Sequence, residues 1–312
     1  MTMKAYFLQT TGRGLHLDLR EVPLPSPKPG QLLVRIRATS FNRGELLGGF
    51  GAAKPAGLEA AGEVEGTGAR VMGRCPGGFA EYGLMDERDA IAVPPAISWE
   101  EAGAIPLAFM VVHDMLVAQG ELKAGEWLLV TAVTSGVGVA ALQAAKALGA
   151  RVIGTSGSAQ KLERLKALGL DVGLCTRQPD FADAVMRATG GRGADLAVNN
   201  VGGTVFAECL RALGFEGRLA TVGYLDRVTK AEVDLEALHT RRLRLFGVSN
   251  KLRTAAQRAR TVQGFTADFL PLFAAGRLRP LVDRIYPFAD AERALAHVQA
   301  DAHLGKVVLR LE

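Results

Sequence analysis

The sequence predicts an α/β fold in which a doubly wound parallel sheet is joined to a second, mostly-β domain. Residues 127–155 read as strand, small-residue turn, helix and strand in succession, which makes one complete βαβ unit. From about residue 119 to 277, short apolar runs alternate with segments rich in helix formers, as in successive βα units. The residues before and after this part contain short strand candidates separated by Pro and Gly, which indicates β structure with irregular loops.

The βαβ unit carries the strongest signal for function. Trp127–Val133 is an apolar run of β-forming residues, Val139–Leu148 is rich in helix formers, and Arg151–Thr155 is a second strand. The small residues between the first strand and the helix would let the backbone approach a pyrophosphate at a helix N-terminus. Of the dinucleotide pattern G-x-G-x-x-G only the last glycine, Gly138, is kept, with Ser135 in place of the second. An ordinary packing turn is the alternative, but the strand–turn–helix–strand context favours a dinucleotide site.

The composition excludes several classes of protein. The chain has 312 residues, of which 48% are hydrophobic and 22% charged, as in an ordinary globular protein with two domains. The formal charge of +5 is mild and the basic clusters lack interleaved aromatics, so no nucleic-acid partner is expected. No apolar run reaches the ~18 residues of a membrane span, and no signal peptide is recognised. The three cysteines form neither a C-x-x-C pair nor a disulfide framework, so we expect a cytoplasmic protein.

The parts of the chain outside residues 119–277 are predicted to form one domain. Leu107–Ala118 reads as the helix that leads from this domain into the next. Lys306–Leu311 alternates as a strand does and is expected to pair back with the N-terminal part. We therefore predict a discontinuous domain of residues 1–118 and 278–312 around the doubly wound domain. Its N-terminal strand candidates are Lys4–Gln9, Leu15–Val22, Gln31–Ala38, Glu59–Val64 and Ala69–Gly73.

The doubly wound domain contains four further strand candidates, Val172–Cys175, Leu196–Asn199, Arg218–Val222 and Leu243–Val248. The residues placed to cap the helices between them are Ser158, Asp180 and Thr204. Ligands of such a sheet bind beyond the carboxyl ends of its strands. The candidate cofactor contacts that this rule places along one rim are Ser135, Gly136, Val137, Ser156, Ser158, Thr176, Arg177, Val201, Gly223, Tyr224, Val248 and Ser249.

The position that selects between NAD and NADP lies about 20 residues after the glycine turn, where a carboxylate would bind the adenosine 2′-hydroxyl of NAD. Here that position is Thr155 or Ser156, and neither carries a charge that would repel a 2′-phosphate. Ser156, Ser158 and Lys161 offer hydroxyl donors and a cation, and Arg177 could add a second cation. We therefore predict NADPH as the cofactor. The alternative for Lys161 is a surface lysine in the first turn of a helix.

Several longer motifs resemble those of the medium-chain dehydrogenase/reductase superfamily. They are Gly57–Gly62 (GLEAAG), Gly77–Tyr82 (GGFAEY), Trp99–Pro106 (WEEAGAIP), Ser135–Gly138 (SGVG), Ala144–Ala150 (AAKALGA) and Gly305–Val308 (GKVV). The motifs span nearly the whole chain in the right order, and the chain looks most like the zinc-independent quinone oxidoreductases and related enone or alkenal reductases. The resemblance implies a GroES-like, mostly-β domain joined to a Rossmann domain, with the active site in the cleft between them.

The resemblance also bears on zinc. Zinc-dependent members of the superfamily place two cysteines and a histidine on the catalytic metal, and the matching positions here hold Asn42, Leu58 and Leu107. An amide and two aliphatic side chains cannot replace thiolates and an imidazole as ligands of Zn²⁺. The four-cysteine structural lobe of those relatives is missing as well. We therefore expect neither a catalytic nor a structural zinc ion.

The reaction expected without zinc is hydride transfer from NADPH to a quinone or an α,β-unsaturated carbonyl. The resemblance places Asn42 near the nicotinamide, where its amide could orient the substrate or the ribose; the alternative is an amide that satisfies a buried turn. His113 could donate a proton, although a lone histidine on an apolar helix is more often a core residue. Tyr224 could contact the nicotinamide or the substrate. Arg43 and Glu45 could form a local ion pair or make the substrate pocket polar.

Two other functions stay open beside the quinone or enone reductase. One is an enoyl-thioester reductase, and the other is a low-turnover NADPH-binding sensor or structural protein, which the loss of a glycine at Ser135 keeps in consideration. Relatives commonly dimerise by pairing their last Rossmann strands edge to edge, so a homodimer through Leu243–Val248 is expected.

Overall fold

The structure, a computed structural model, describes residues 1–11, 14–48 and 53–312. These residues form two compact units, one of Met1–Met110 with Arg253–Glu312 and one of Val111–Leu252. The units change at residues 110 and 252, whereas the sequence places the domain bounds at 118 and 277. The segment 253–277 therefore belongs to the same compact unit as the chain termini. No helix of the described residues is long and apolar enough to cross a membrane.

The strands are, in chain order, β1 (Thr2–Thr11), β2 (Gly14–Pro23), β3 (Gln31–Ser40), β4 (Glu59–Val64), β5 (Arg70–Arg74), β6 (Tyr82–Asp86), β7 (Ala90–Ala92), β8 (Trp127–Val130), β9 (Arg151–Ser156), β10 (Val172–Cys175), β11 (Ala194–Asn199), β12 (Leu213–Thr221), β13 (Arg244–Gly247), β14 (Val282–Pro287) and β15 (Lys306–Arg310). The α-helices are α1 (Arg43–Gly48), α2 (Trp99–Ala102), α3 (Pro106–His113), α4 (Gly136–Ala147), α5 (Ala159–Lys166), α6 (Ala182–Ala188), α7 (Phe206–Ala212), α8 (Leu235–Thr240), α9 (Ala255–Asp268), α10 (Leu270–Ala274) and α11 (Ala291–Gln299).

The unit Val111–Leu252 is built on a six-stranded parallel sheet with the order β10-β9-β8-β11-β12-β13. The order reverses between β8 and β11, which makes this pair the switch point of a doubly wound sheet. Leu128–Val130 and Leu196–Val198 are fully buried, as expected of central strands covered by helices on both faces. The predicted doubly wound fold class is confirmed.

The βαβ unit predicted at residues 127–155 is present as β8, α4 and β9. Ser135 is the N-cap of α4, because its hydroxyl accepts from Gly138 N at 3.1 Å. Gly138 packs closely against the turn after β8, and a Cβ there would lie 2.5 Å from the carbonyl oxygen of Ala132. The last glycine of the motif is therefore required for packing, and Ser135 supplies a cap that a second glycine would not.

Two of the three predicted caps in this unit are wrong. Ser158 does cap α5. The Asp180 carboxylate instead accepts from Thr176 Oγ1 at 2.7 Å, and α6 starts without a side-chain cap. Thr204 Oγ1 donates to Asp226 Oδ2 at 2.6 Å, and α7 likewise starts without a side-chain cap. In both cases another partner takes the side chain that the local spacing assigned to the helix.

The unit that contains both chain termini is mostly β, as predicted. It contains a two-stranded sheet of β1 and β2 and a larger sheet with the order β14-β15-β3-β4-β5-β7, in which β6 also pairs with β3. β15 runs antiparallel to β3 with Val308 opposite Ser40, so the predicted return of the chain end to the N-terminal strands is confirmed. This pairing brings the start of β15, at Lys306, to the end of β3 that precedes Asn42.

The close approach of β3 and β4 requires glycine at position 62. Gly62 is opposite Ile36, and a Cβ at Gly62 would lie 2.1 Å from the carbonyl oxygen of Arg35. We expect Gly62→Ala to lower the free energy of unfolding by about 1–3 kcal/mol, because overpacking against backbone has no easy relief. Gly44→Ala is the matched control, since nothing lies within 4 Å of a Cβ there and alanine favours helix α1. Urea denaturation tests this, and equal stability of the two variants would contradict it.

Candidate active site

The carboxyl ends of the parallel strands lie level with one another. Ser156, at the end of β9, is opposite Cys175 at the end of β10, and Asn199, at the end of β11, is opposite Thr221 at the end of β12. Thr221 is in turn opposite Gly247 at the end of β13. The strand ends therefore form one carboxyl-terminal rim, as the strand–helix alternation predicts, and the loops that follow the strands lie along this rim.

Hydrogen bonds across the switch point join the loops that follow β8 and β11. Asn200 N donates to Thr131 Oγ1 at 3.0 Å, and Asn200 Nδ2 donates to Thr131 O at 2.9 Å. The preceding Asn199 is fully buried and closes its own loop, since its Oδ1 accepts from Val201 N at 3.0 Å and from Gly202 N at 2.9 Å. Two adjacent asparagines thus hold the loops at the crevice where doubly wound sheets bind dinucleotides.

Asp226 fastens the loop after β12 to the loop after β11. Its Oδ2 accepts from Thr204 N at 2.9 Å and from Thr204 Oγ1 at 2.6 Å, and its Oδ1 accepts from Val228 N at 2.8 Å. Burial alone would raise the pKa of Asp226, but these hydrogen bonds outweigh it and lower that pKa below its ordinary value. Gly202 has a φ of 128°, and a Cβ there would lie 2.1 Å from Asp226 Oδ1, so this loop needs glycine.

The residues predicted to bind the adenosine end of the cofactor form a cluster beyond β9. Ser156 Oγ accepts from Ser158 N at 3.3 Å, and Ser158 Oγ accepts from Lys161 N at 3.3 Å. The side chain of Arg177 crosses Gly157 closely, because a Cβ on that glycine would lie 2.0 Å from Arg177 Nε. The structure therefore brings two serine hydroxyls and an arginine together, with the lysine in the adjoining first turn of α5.

The start of α4 suits a diphosphate. A helix start leaves its first N–H groups without intrahelical partners, and the helix dipole adds partial positive charge there. Ser135 Oγ accepts the N–H of Gly138, and in the described part of the chain neither Gly136 nor Val137 gives its N–H to another residue. Thr134 adds a hydroxyl in the same turn. These residues fit the diphosphate of a dinucleotide, and they would hold it by backbone donors.

The other predicted rim residues follow their strands, but they differ in their burial and in the hydrogen bonds that their side chains already make. Thr176 Oγ1 is engaged in its own turn, where it accepts from a backbone N–H two residues on at 2.9 Å. Val248 is buried, whereas Ser249 is exposed and its Oγ accepts a backbone N–H at 3.2 Å. Tyr224, next to Gly223, is 49% exposed, so its ring is open to a ligand.

In the other unit, Asn42 and three other polar side chains form a hydrogen-bonded network. Asn42 Nδ2 donates to Glu59 Oε1 at 2.7 Å and to Glu45 Oε1 at 2.9 Å, and Asn42 Oδ1 accepts from Lys306 Nζ at 2.8 Å. Lys306 Nζ also donates to Glu59 Oε1 at 2.9 Å and to Phe41 O at 3.0 Å. Glu45, Glu59 and Lys306 are only 3%, 0% and 4% exposed. The Asn42 amide is thus engaged at both its nitrogen and its oxygen.

Glu45 is a neutral acid in this network at pH 7. Its burial raises its pKa from an ordinary 4.5 to about 8, and the hydrogen bond from Asn42 offsets only part of that rise. The Glu59 carboxylate nearby adds to the rise, and the Lys306 ammonium opposes it. Glu59 in turn accepts from Ser40 Oγ at 2.6 Å, so this buried carboxylate does not lack donors.

Arg43 pairs with a residue other than Glu45, and His113 is buried. Arg43 Nη2 lies 2.6 Å from Asp301 Oδ1, while Glu45 is bonded to Asn42, so the local ion pair between Arg43 and Glu45 is not the arrangement found. His113 is the last residue of α3 and is 4% exposed. Its burial favours the core interpretation over that of a proton donor.

Sequence reasoning missed two groups of residues. One group contains the hydrogen-bond partners of Asn42, and the other contains the polar residues whose hydrogen bonds join the loops along the rim. Glu59 and Lys306 stand within the GLEAAG and GKVV motifs, but no pattern pairs two residues that lie 247 positions apart. Asn199 ends the buried strand β11 and Asn200 follows it directly, and that position was the available signal for them. Asp226 lies in an irregular loop and carried none.

Comparison with known proteins adds independent information. Residues 136–262 match the family model described as zinc-binding dehydrogenase. A probable oxidoreductase from Mycobacterium abscessus is 30% identical, with a TM-score of 0.84, over 100% of this chain and 99% of that chain. This chain belongs to the medium-chain dehydrogenase/reductase superfamily. Another superfamily structure, a mycobacterial protein complexed with NADPH, is 29% identical with a TM-score of 0.86, over 99% of this chain and 100% of that chain.

Within the superfamily, the chain lies in the quinone oxidoreductase-like branch. The quinone oxidoreductase of Pseudomonas syringae pv. Tomato DC3000 is 25% identical with a TM-score of 0.84, over 100% of both chains. A curated relative is a phenolphthiocerol/phthiocerol polyketide synthase of Mycobacterium tuberculosis, 30% identical over 316 residues. That match covers 96% of this chain but only 14% of the synthase, so this chain spans about a seventh of that relative's length.

Zinc does not fit the residues at the positions where zinc-dependent members of the superfamily hold their catalytic metal. The Asn42 amide is committed to its buried network, and Leu58 and Leu107 have no donor atom in their side chains. Within the described ranges, no group of three or more His, Cys, Asp or Glu residues is placed to hold a metal. The description of the family model names zinc binding, but the side chains at these three positions do not supply zinc ligands.

The raised pKa of Glu45 makes stability depend on pH. Its contribution is fully present below pH 4.5 and is lost as the pH rises towards about 8, because the unfolded chain then gives up its proton first. We expect this group to lower the free energy of unfolding by up to about 1.4 kcal/mol per pH unit between pH 6 and pH 8. In Glu45→Gln, which stays neutral, the decline should be shallower. Urea denaturation across this range gives both slopes, and identical slopes would contradict the assignment.

Proposed function

We propose that the protein is an NADPH-dependent oxidoreductase that transfers hydride to a quinone or an α,β-unsaturated carbonyl without zinc. The observation that carries this proposal is the donor set at Asn42, Leu58 and Leu107, which offers no ligands for a Lewis acid. Without a metal to polarise it, the acceptor must itself be electron-poor. Quinones and conjugated carbonyls meet this requirement, whereas simple ketones do not.

The choice of NADPH is supported by the rim and by the NADPH complex of the mycobacterial relative. When bound, NADPH supplies a hydride from C4 of its nicotinamide. The residues that would hold the diphosphate are Ser135, Gly136 and Val137. Those that would meet the adenosine 2′-phosphate are Ser156, Ser158, Lys161 and Arg177. Those that would follow the rest of the cofactor are Thr176, Val201, Gly223, Tyr224, Val248 and Ser249.

The catalytic contribution of the chain is orientation and the exclusion of water. Asn42 is our first candidate at the nicotinamide end, where its fixed amide would position the bound cofactor. Tyr224 is our candidate for contact with the nicotinamide or acceptor, because its ring is half exposed beside the crevice. His113 stays the candidate proton donor, and its burial weighs against it.

An enoyl-thioester reductase is the second candidate function, and the likeness to polyketide synthases favours it. Such an enzyme would use the same cofactor site and the same electron-poor double bond, and only the acceptor's thioester arm would differ. We also propose that the protein works in the cytoplasm, since its cysteines form no disulfide framework.

Cofactor choice can be measured directly. We expect NADPH to bind at least about tenfold more tightly than NADH, because hydroxyl donors and cations meet the 2′-phosphate. Arg177→Ala should weaken NADPH binding about tenfold and leave NADH binding nearly unchanged. Arg187→Ala, an exposed arginine on α6, is the matched control. Fluorescence titration measures the six affinities of the wild type and the two variants for NADPH and NADH, and a tenfold preference of the wild type for NADH would overturn the assignment.

Acceptor class is tested by the loss of NADPH absorbance at 340 nm with 1,2-naphthoquinone, 2-alkenals and crotonyl thioester. We expect turnover with the first two and undiminished rates after dialysis against a chelator, since no zinc takes part. Faster turnover of the thioester would favour the second candidate function. Tight NADPH binding without turnover of any of the three would instead support a sensor or structural protein.

We further propose a homodimer that pairs β13 with its copy. β13 is an edge strand of the six-stranded sheet, and its Leu245 is 37% exposed. Edge strands of this kind expose unpaired backbone groups that a second copy can satisfy. Light scattering should give about twice the chain mass of 33.0 kDa, and Leu245→Lys should shift the protein to the monomer. A wild-type monomer would refute the dimer.

A further inference from the structure

The order of the parallel strands decides which loops meet which half of a bound dinucleotide. In the order β10-β9-β8-β11-β12-β13, the loops after β9 and β10 carry Ser156, Ser158 and Arg177, which we assign to the adenosine half. The diphosphate would lie at the start of α4, beside the switch point between β8 and β11. A dinucleotide that crosses the switch point therefore places its nicotinamide half on the side of β11 and β12.

The loops after β11 and β12 are joined to each other by backbone and side-chain hydrogen bonds. Asp226 N donates to Val201 O at 3.0 Å, and Gly203 N donates to Val228 O at 2.8 Å. The Asp226 carboxylate adds three more bonds, two from Thr204 and one from the backbone N–H of Val228. Four of these five hydrogen bonds use an atom of Asp226, so this residue is the centre of the junction between the two loops.

A carboxylate is the side chain that this junction requires, because donors face both of its oxygens. Oδ2 of Asp226 accepts from the two donors of Thr204, and Oδ1 accepts from Val228 N. An amide in the same place would turn its NH₂ group towards a donor on one side, whichever way it was oriented. Gly202 leaves room for the carboxylate, since a Cβ there would lie 2.1 Å from Asp226 Oδ1. The two loops are thus built around one carboxylate.

The same junction fixes Tyr224, which the rim places on the nicotinamide side. Arg227 N donates to Tyr224 O at 3.0 Å and closes a four-residue turn that contains Asp226. The tyrosine side chain is 49% exposed, so little packing holds this turn apart from its hydrogen bonds. Removal of the Asp226 carboxylate would therefore loosen the turn that carries Tyr224 and the neighbouring loop that carries Val201.

We propose that Asp226 is a positioning residue that holds the loops after β11 and β12 in the conformation that binds the nicotinamide half of NADPH, an inference that rests on the proposed function. Asp226 acts through these loops, since donors of the protein already occupy both of its carboxylate oxygens. A loop that is held in its binding conformation loses less conformational entropy when the ligand binds. Loss of the carboxylate therefore weakens binding of the nicotinamide half and spares the adenosine half.

The probes are NADPH and adenosine 2′,5′-bisphosphate, which contains the adenosine half alone. We expect Asp226→Ala to raise the Kd of NADPH about tenfold, the scale of lost hydrogen bonds to a charged group. The Kd of the bisphosphate should change less than about twofold, because that probe binds on the other side of the switch point. Fluorescence titration measures both constants. Equal weakening of both probes, or unchanged binding of NADPH, would overturn the proposal.

Asp195→Ala is the matched control. Asp195 Oδ2 accepts from Trp127 N at 2.7 Å, so this carboxylate also joins neighbouring segments of the six-stranded sheet, but at the amino ends of β11 and β8. Its loss should change neither Kd by more than about twofold, because the amino ends lie at the opposite edge of the sheet from the rim. A tenfold rise in the Kd of NADPH for this control would show that any lost carboxylate has the effect, and it would overturn the proposal.

Thr204→Val is a milder change at the same junction. Valine keeps the branched shape and the backbone N–H of Thr204 and removes only the bond from Oγ1 to Asp226. We expect it to raise the Kd of NADPH about threefold in the wild-type protein and to add nothing to Asp226→Ala. An undiminished threefold effect without Asp226 would give Thr204 an independent role and overturn the proposal.

Failure of the proposed function would give a different result. A wild-type protein that binds neither NADPH nor the bisphosphate would overturn the NADPH function and this inference with it. A wild-type protein that binds both probes, with affinities that Asp226→Ala leaves unchanged, would overturn only the positioning role of Asp226.

Discussion

The pairing of β8 with β11 is the constraint on which the candidate nucleotide site depends. These two strands are adjacent although two βα units separate them in sequence, and their loops must diverge to opposite sides of the sheet. Polar side chains tie the loops together at this end of the sheet: Asn200 is bonded to Thr131 in the loop after β8, and Asp226 in the loop after β12 is bonded to Thr204. Strand order therefore sets where a nucleotide site is expected, and the few residues at the loop ends set which groups would contact the nucleotide.

In the other unit, the network around Asn42 depends on the cost of burying charged side chains. Two glutamates and one lysine are buried with Asn42, and burial of a second carboxylate beside Glu59 would be costly if both were ionised. The protein resolves this by keeping Glu45 protonated at pH 7, so the network contains one ion pair and one neutral acid. The Asn42 amide is held in this network by hydrogen bonds at both its nitrogen and its oxygen. The network thus commits the Asn42 side chain to protein partners on both sides of its amide.

Local patterns predicted the backbone well, because they report local physics. The βαβ unit, the Ser158 cap and the strand Val172–Cys175 stand where the residues place them, since apolar alternation and capping spacing act over a few residues. The predictions at Asp180 and Thr204 were wrong because a partner outside the helix start took each side chain. The pairing of Lys306 with Glu59 was beyond prediction for the same reason, since it depends on β15 returning to β3. A family motif can indicate that such residues matter, but only the fold shows which atoms meet.

The central claim is that a dinucleotide binds by its diphosphate to the start of α4, at the switch point of the sheet. Amide hydrogen exchange at Gly136 and Val137, measured by NMR with and without NADPH, tests this claim most directly, because these are the N–H groups that the diphosphate would take. The account predicts that saturating NADPH slows exchange at both amides and leaves the distant amides of β5 unchanged. Unaltered exchange at Gly136 and Val137 in the presence of bound NADPH would contradict it.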